Sequence, residues 1–114
     1  MLFPVIRQRE EPTVPIHQIA EYQVQADAVD AVKAAIEEFV GYVADHEPGT
    51  TMYAAWQRAD DPTRFSHLFI FEDGSAHEAH GRSDAVAQFE SVYRPVLVGG
   101  PVVFTDFALV AANR

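Results

Sequence analysis

Phe65-Ser66-His67-Leu68-Phe69-Ile70-Phe71-Glu72-Asp73-Gly74-Ser75-Ala76-His77-Glu78-Ala79-His80-Gly81-Arg82-Ser83 changes its period from two to helical within one short turn. Phe65, His67, Phe69 and Phe71 stand at alternate positions, the signature of a strand with one apolar face. Asp73 then supplies a helix N-cap, Gly81 interrupts the helix, and Ser83 supplies a second cap. The stretch therefore predicts a strand, a sharp turn and a broken helix carrying two histidines. It sets a side chain that titrates near neutral pH beside an aromatic sheet face.

Four further elements are predicted around it. Residues 16–26 alternate, with Ala20, Tyr22, Val24 and Ala26 on one face and Glu21, Gln23 and Gln25 on the other, which reads as a half-buried strand. Asp27 caps a helix in which Val29, Val32, Ile36, Phe39, Val40 and Val43 recur at helical spacing until Pro48-Gly49 stops it. Residues 50–58, with Tyr53 and Trp56, form the next strand, and Asp60-Asp61-Pro62 turns into the strand at 64–72. The broken helix continues with Val86, Phe89 and Val92 or Tyr93 on one face, and Pro95 with Gly99-Gly100-Pro101 ends it. A last strand at 102–111 is apolar on both faces, which places it inside a sheet or under a partner chain.

The order β-α-β-β-α-β predicts an α+β fold of the ferredoxin-like, split βαβ kind: a four-stranded antiparallel sheet with two helices on one face. Residues 1–15, with Pro4, Pro12 and Pro15, read as an irregular N-terminal arm, and residues 16–114 as one domain. Helices on one side leave the other sheet face bare although its residues are apolar, and a two-fold homodimer through that face is the expected remedy.

Composition narrows the function. The net charge of -9, with only 8 Lys and Arg, argues against nucleic acid and anionic membrane partners. Having 0 Cys excludes disulfides, thiolate catalysis and cysteine metal sites. No apolar run approaches the roughly 20 residues that span a bilayer, and the N-terminus lacks signal-peptide features, so a cytoplasmic protein is expected.

The chain from about residue 16 to 111 resembles the antibiotic biosynthesis monooxygenase family of dimeric α+β barrels. The resemblance is carried by Glu47-Pro48-Gly49-Thr50, by Asp61-Pro62 and Phe65, by Asp73, Ala76, His80 and Ser83 in a D-x-x-A-x-x-x-H-x-x-S spacing, and by Phe89 and Pro95-Val96-Leu97. Two departures matter. Phe69 and Phe71 stand where many members have a Glu and then an aromatic. The only Asn is Asn113, which removes the Asn used by haem-degrading relatives. What remains resembles the branch that oxidises phenolic polycycles or quinols with O2 and no metal, flavin or other cofactor.

The resemblance implies site roles. His80 would handle the substrate proton, oriented by Asp84 if the helix runs through Gly81. His67, in phase with the strand aromatics, is a second proton-handling candidate, or else a hydrogen-bonded histidine at the sheet or dimer surface. Tyr22, Trp56, Phe69 and Phe71 would line an aromatic pocket, and Arg94 would hold an anionic substrate. His77 and His80 lack the H-E-x-x-H spacing of a zinc site, so no metal is expected, and His77 is read as solvated or paired with Asp73. The same scaffold could instead carry a non-catalytic small-molecule-binding or dimerisation module, or a cyclase or isomerase.

Overall fold

The computed structural model describes residues 14–113. Of the N-terminal arm, residues 1–13 lie outside the described residues, and residues 14–15 carry no regular structure. The elements that follow are β1 (Ile16–Val24), α1 (Val29–His46), β2 (Thr50–Arg58), β3 (Asp61–Phe71), α2 (Gly74–Gly81), α3 (Asp84–Tyr93) and β4 (Leu97–Phe107). The strands pair in the order β2-β3-β1-β4, all antiparallel, which is the predicted split βαβ sheet. The sheet is open, its edges formed by β2 and β4.

Both predicted caps form. Asp73 Oδ1 accepts from the Ala76 amide at 2.9 Å and Ser83 Oγ from the Val86 amide at 3.1 Å, so the histidine-bearing helix ends and restarts between them. Asp27 does not cap α1; it lies inside a short 3-10 turn, Ala26–Ala28, that leads into that helix. Val32, Ile36, Phe39 and Val43 of α1 and Phe89 and Tyr93 of α3 bury against Tyr22, Val24 and Phe65 of the sheet.

The last strand departs from its expected place. It starts at Leu97, five residues earlier than predicted, because Gly99 and Gly100 adopt positive φ (80° and 115°) and bulge within the strand instead of preceding it. It also lies at the sheet edge, not in the interior. Its apolar residues stay uncovered: Val103 and Phe107 are 58% and 52% exposed. They share the helix-free face with Met52 and Trp56, 48% and 55% exposed, because β4 pairs Glu21 with Val103 and His17 with Phe107.

Candidate active site

A cavity of about 300 Å³ opens between the sheet and the three helices. The sheet contributes Gln18, Ala20, Tyr22, Tyr53, His67, Phe69, Val102 and Phe104, and the helices contribute Phe39, His77, His80, Gly81, Val86, Phe89, Glu90 and Tyr93. It sits at the small end of the roughly 300–1,000 Å³ range of ligand pockets and is lined mainly by rings, which suits a small flat molecule.

His80 reaches the cavity from the last turn of α2. Its ring lies within 5.1–5.9 Å of those of Phe39, Tyr53, Phe69 and Phe71. Nδ1 is 2.7 Å from Glu47 Oε1, with both side chains only 12% exposed. The carboxylate accepts, so Nδ1 carries the hydrogen, and in the neutral ring the lone pair is then on Nε2. Among the described residues Nε2 has no protein partner, and His80 borders the cavity.

Glu47 reaches this place through a tight turn. It is the C-cap of α1, with its amide bonded to the Val43 carbonyl, and Thr50 closes the turn onto the Glu47 carbonyl at 3.0 Å. The Thr50 hydroxyl also donates to Glu47 Oε1 at 2.9 Å. Gly49 passes so close to α2 that a Cβ there would lie 2.7 Å from Ala76 Cβ, and its carbonyl accepts from the Glu72 amide at 2.8 Å. A carboxylate at the negative end of a helix is unfavourable by itself. The hydrogens from His80 and Thr50 offset that cost, while Glu47 Oε2 is buried with no partner among the described residues.

His67 lies in the middle of β3 and is 2% exposed. Tyr22 Oη is 2.8 Å from its Nε2 and Tyr53 Oη is 2.8 Å from its Nδ1. Burial lowers its pKa to about 4, so the ring is neutral near pH 7. Burial likewise holds both phenols well above the ordinary tyrosine range, reinforced at Tyr22 by Tyr93 and at Tyr53 by Tyr22.

The remaining expected residues divide. Tyr22 and Phe69 line the cavity. Phe71 is fully buried behind it, under the rings of His77 and His80. Trp56 is turned away: it pairs with Ser66, one position out of phase with His67, and alternation puts it on the other side of the sheet. Arg94 points outward, 3.1 Å from Glu90 and outside the cavity. Asp84 does not orient His80, because α2 ends at Gly81 and Ser83 starts a new helix, so the two residues are not one turn apart on a common helix. His77 does not pair with the Asp73 side chain; it is half-buried, and its ring packs on Phe71 at 5.0 Å and borders the cavity. Among the described residues no three metal-ligating side chains converge.

Sequence reasoning passed over Glu47 and Tyr53. The signal for Glu47 was available: an acid placed against the helix dipole, directly before Pro-Gly, calls for a partner. Tyr53 carried no signal beyond its strand phase.

The element order and the antiparallel sheet order β2-β3-β1-β4, with the helices on one face, place the chain in the ferredoxin-like α+β class. Within that class this chain belongs to the antibiotic biosynthesis monooxygenase family, whose profile matches residues 15–91. Solved structures share the fold. A candidate antibiotic biosynthesis monooxygenase from Bacteroides thetaiotaomicron superposes with a TM-score of 0.81 at 13% identity, covering 89% of this chain and 94% of that one. A counterpart from Caulobacter crescentus gives 0.79 at 17% identity, covering 93% and 99%. A Mycobacterium tuberculosis protein gives 0.76 at 20% identity, covering 88% and 99%. No curated protein matches the sequence significantly. Among the described residues no helix is long and apolar enough to cross a membrane.

Proposed function

We propose that this chain is a cofactor-independent monooxygenase that oxidises an aromatic phenol or quinol with O2, working as a homodimer. The observation that carries the reading is His80, bonded to Glu47 at 2.7 Å and bordering an aromatic cavity. Bare Nε2 accepts the phenolic proton, and Glu47 stabilises the imidazolium that forms. The phenolate passes one electron to O2, and the radical pair joins as a hydroperoxide on a ring carbon that bears hydrogen. Loss of water leaves a carbonyl there. A phenol with a free ring C–H and one O2 thus give a quinone and one water, and no external reductant is needed. The rings of Phe69, Tyr53 and Phe39 hold the flat anion and exclude water.

Met52, Trp56, Val103 and Phe107 on the bare sheet face support the homodimer, since an exposed apolar patch of this kind calls for a cover. An O2-electrode screen of naphthols, dihydroxynaphthalenes and anthrones tests the activity. Uptake with quinone formation is expected, and His80→Ala should reduce it by about 10²–10⁴-fold. A substrate turned over equally well by the variant would remove His80 from the chemistry. Product formation without O2 uptake would point to a cyclase or isomerase, and ligand binding without turnover to a binding module.

A further inference from the structure

The Tyr22–His67–Tyr53 chain is not used in the proton abstraction above, yet both tyrosines border the same cavity. Its hydrogens can be counted. A neutral imidazole has one N–H donor and one bare nitrogen, and each phenol adds one hydrogen, so the chain holds three hydrogens and spends two of them on its internal bonds. One phenolic hydrogen is left over. With hydrogen on Nδ1, His67 donates to Tyr53, whose own O–H is free, while Tyr22 gives its hydrogen to Nε2 and can only accept from a ligand. With hydrogen on Nε2 the two tyrosines exchange roles. Neither hydroxyl has another protein partner among the described residues. The ring contacts of His67 are Tyr22, Tyr53 and Phe89, none of them charged, and its depressed pKa agrees with a neutral ring.

We infer that Tyr22, His67 and Tyr53 form a polarity filter that offers the cavity one hydroxyl donor and one hydroxyl acceptor but never two donors. The filter selects a flat molecule that can both donate and accept, a quinol or hydroxy-ketone, over a quinone whose oxygens only accept. The filter's meaning for substrate and product rests on the proposed function, but its binding preference does not. In that reaction the phenolic hydrogen goes to His80 and the new carbonyl forms at a former ring C–H. The quinone product therefore brings only acceptors to a tyrosine pair that has one hydrogen to give, and it is held less tightly than a molecule that both donates and accepts. Because the tautomer can switch, the ligand can bind in either of two orientations.

The test is equilibrium binding under argon of 1,4-dihydroxynaphthalene and 1,4-naphthoquinone, which share one shape. The wild-type chain should prefer the diol by about ten-fold or more, the cost of a carbonyl left unpaired in a buried site. His67→Leu frees the hydrogens of both tyrosines, so the preference should vanish or reverse. Tyr22→Phe removes one end, so the diol should lose its advantage. Equal binding by the wild type, no binding of either probe, or a preference unchanged in both variants would overturn the inference. Oxygen enters none of these measurements. A preserved preference in a protein without oxygenase activity would therefore sink the proposed function alone. Activity that depends on His80 without any diol preference would sink the filter alone.

Discussion

Acidification should weaken this fold through one buried ring. His67 is 2% exposed, and protonating it would place an imidazolium among Tyr22, Tyr53 and Phe89. Its pKa falls from 6.5 to about 4 on folding. Between those values the unfolded chain binds a proton that the folded chain refuses, so stability falls as pH falls. The contribution is complete above pH 6.5 and levels off below about pH 4, where the folded form protonates too. Linkage puts the loss at about 1 kcal/mol by pH 5.5 and about 2–3 kcal/mol by pH 4.5. Carboxylates add their own acid loss, so the informative quantity is a difference. Urea unfolding of the wild type and His67→Gln should be measured at pH 7.5, 5.5 and 4.5 at one protein concentration. Glutamine keeps one donor and one acceptor group but does not titrate. The stability gap between the two proteins should shrink by about 2–3 kcal/mol from pH 7.5 to 4.5. A gap that stays constant across the three pH values would refute the account of His67 as a neutral, desolvated ring.

Glu47→Gln should lower kcat by about 10²-fold or more while KM changes little, because the amide can donate to Nδ1 and force the hydrogen onto Nε2; steady-state O2 uptake reads both, and a large rise in KM alone would speak against a positioning role. Gly49→Ala should cost about 1–3 kcal/mol, since its Cβ would meet Ala76 Cβ at 2.7 Å across a turn pinned by the Glu72 amide; a denaturant midpoint equal to wild type would contradict that approach. Phe107→Asp, placing a charge on the helix-free face, should convert a sedimenting dimer to monomer with the helical circular dichroism retained. A wild-type protein already monomeric at micromolar concentration would dispose of the dimer.

Much of the fold is legible because local chemistry and global topology agree. Alternation in residues 65–71, the caps Asp73 and Ser83, and Pro48-Gly49 each act over a few residues, and each appears in the structure close to where it was expected. Legibility fails where a signal has two meanings. Gly99-Gly100-Pro101 reads as a loop, yet strand pairing carries the chain through it as a bulge. Trp56 reads as a pocket aromatic, but its strand phase sets it beside Met52 on the other face. For Asp84 the spacing from His80 presumed a continuous helix, which the Ser83 cap prevents.

By itself the sequence determined the element order, the sheet class and the family, and it singled out His80, because caps, periodicity and motif spacing are properties of neighbours along the chain. The tertiary structure decided which groups meet. Glu47 and His80 are 33 residues apart and bond at 2.7 Å because a Pro-Gly turn and an antiparallel sheet return the chain to the same end of the cavity. Tyr22, Tyr53 and His67 come from three strands, and only strand register makes them one chain. Contacts of that kind depend on closure of long loops, and no local pattern encodes the partner.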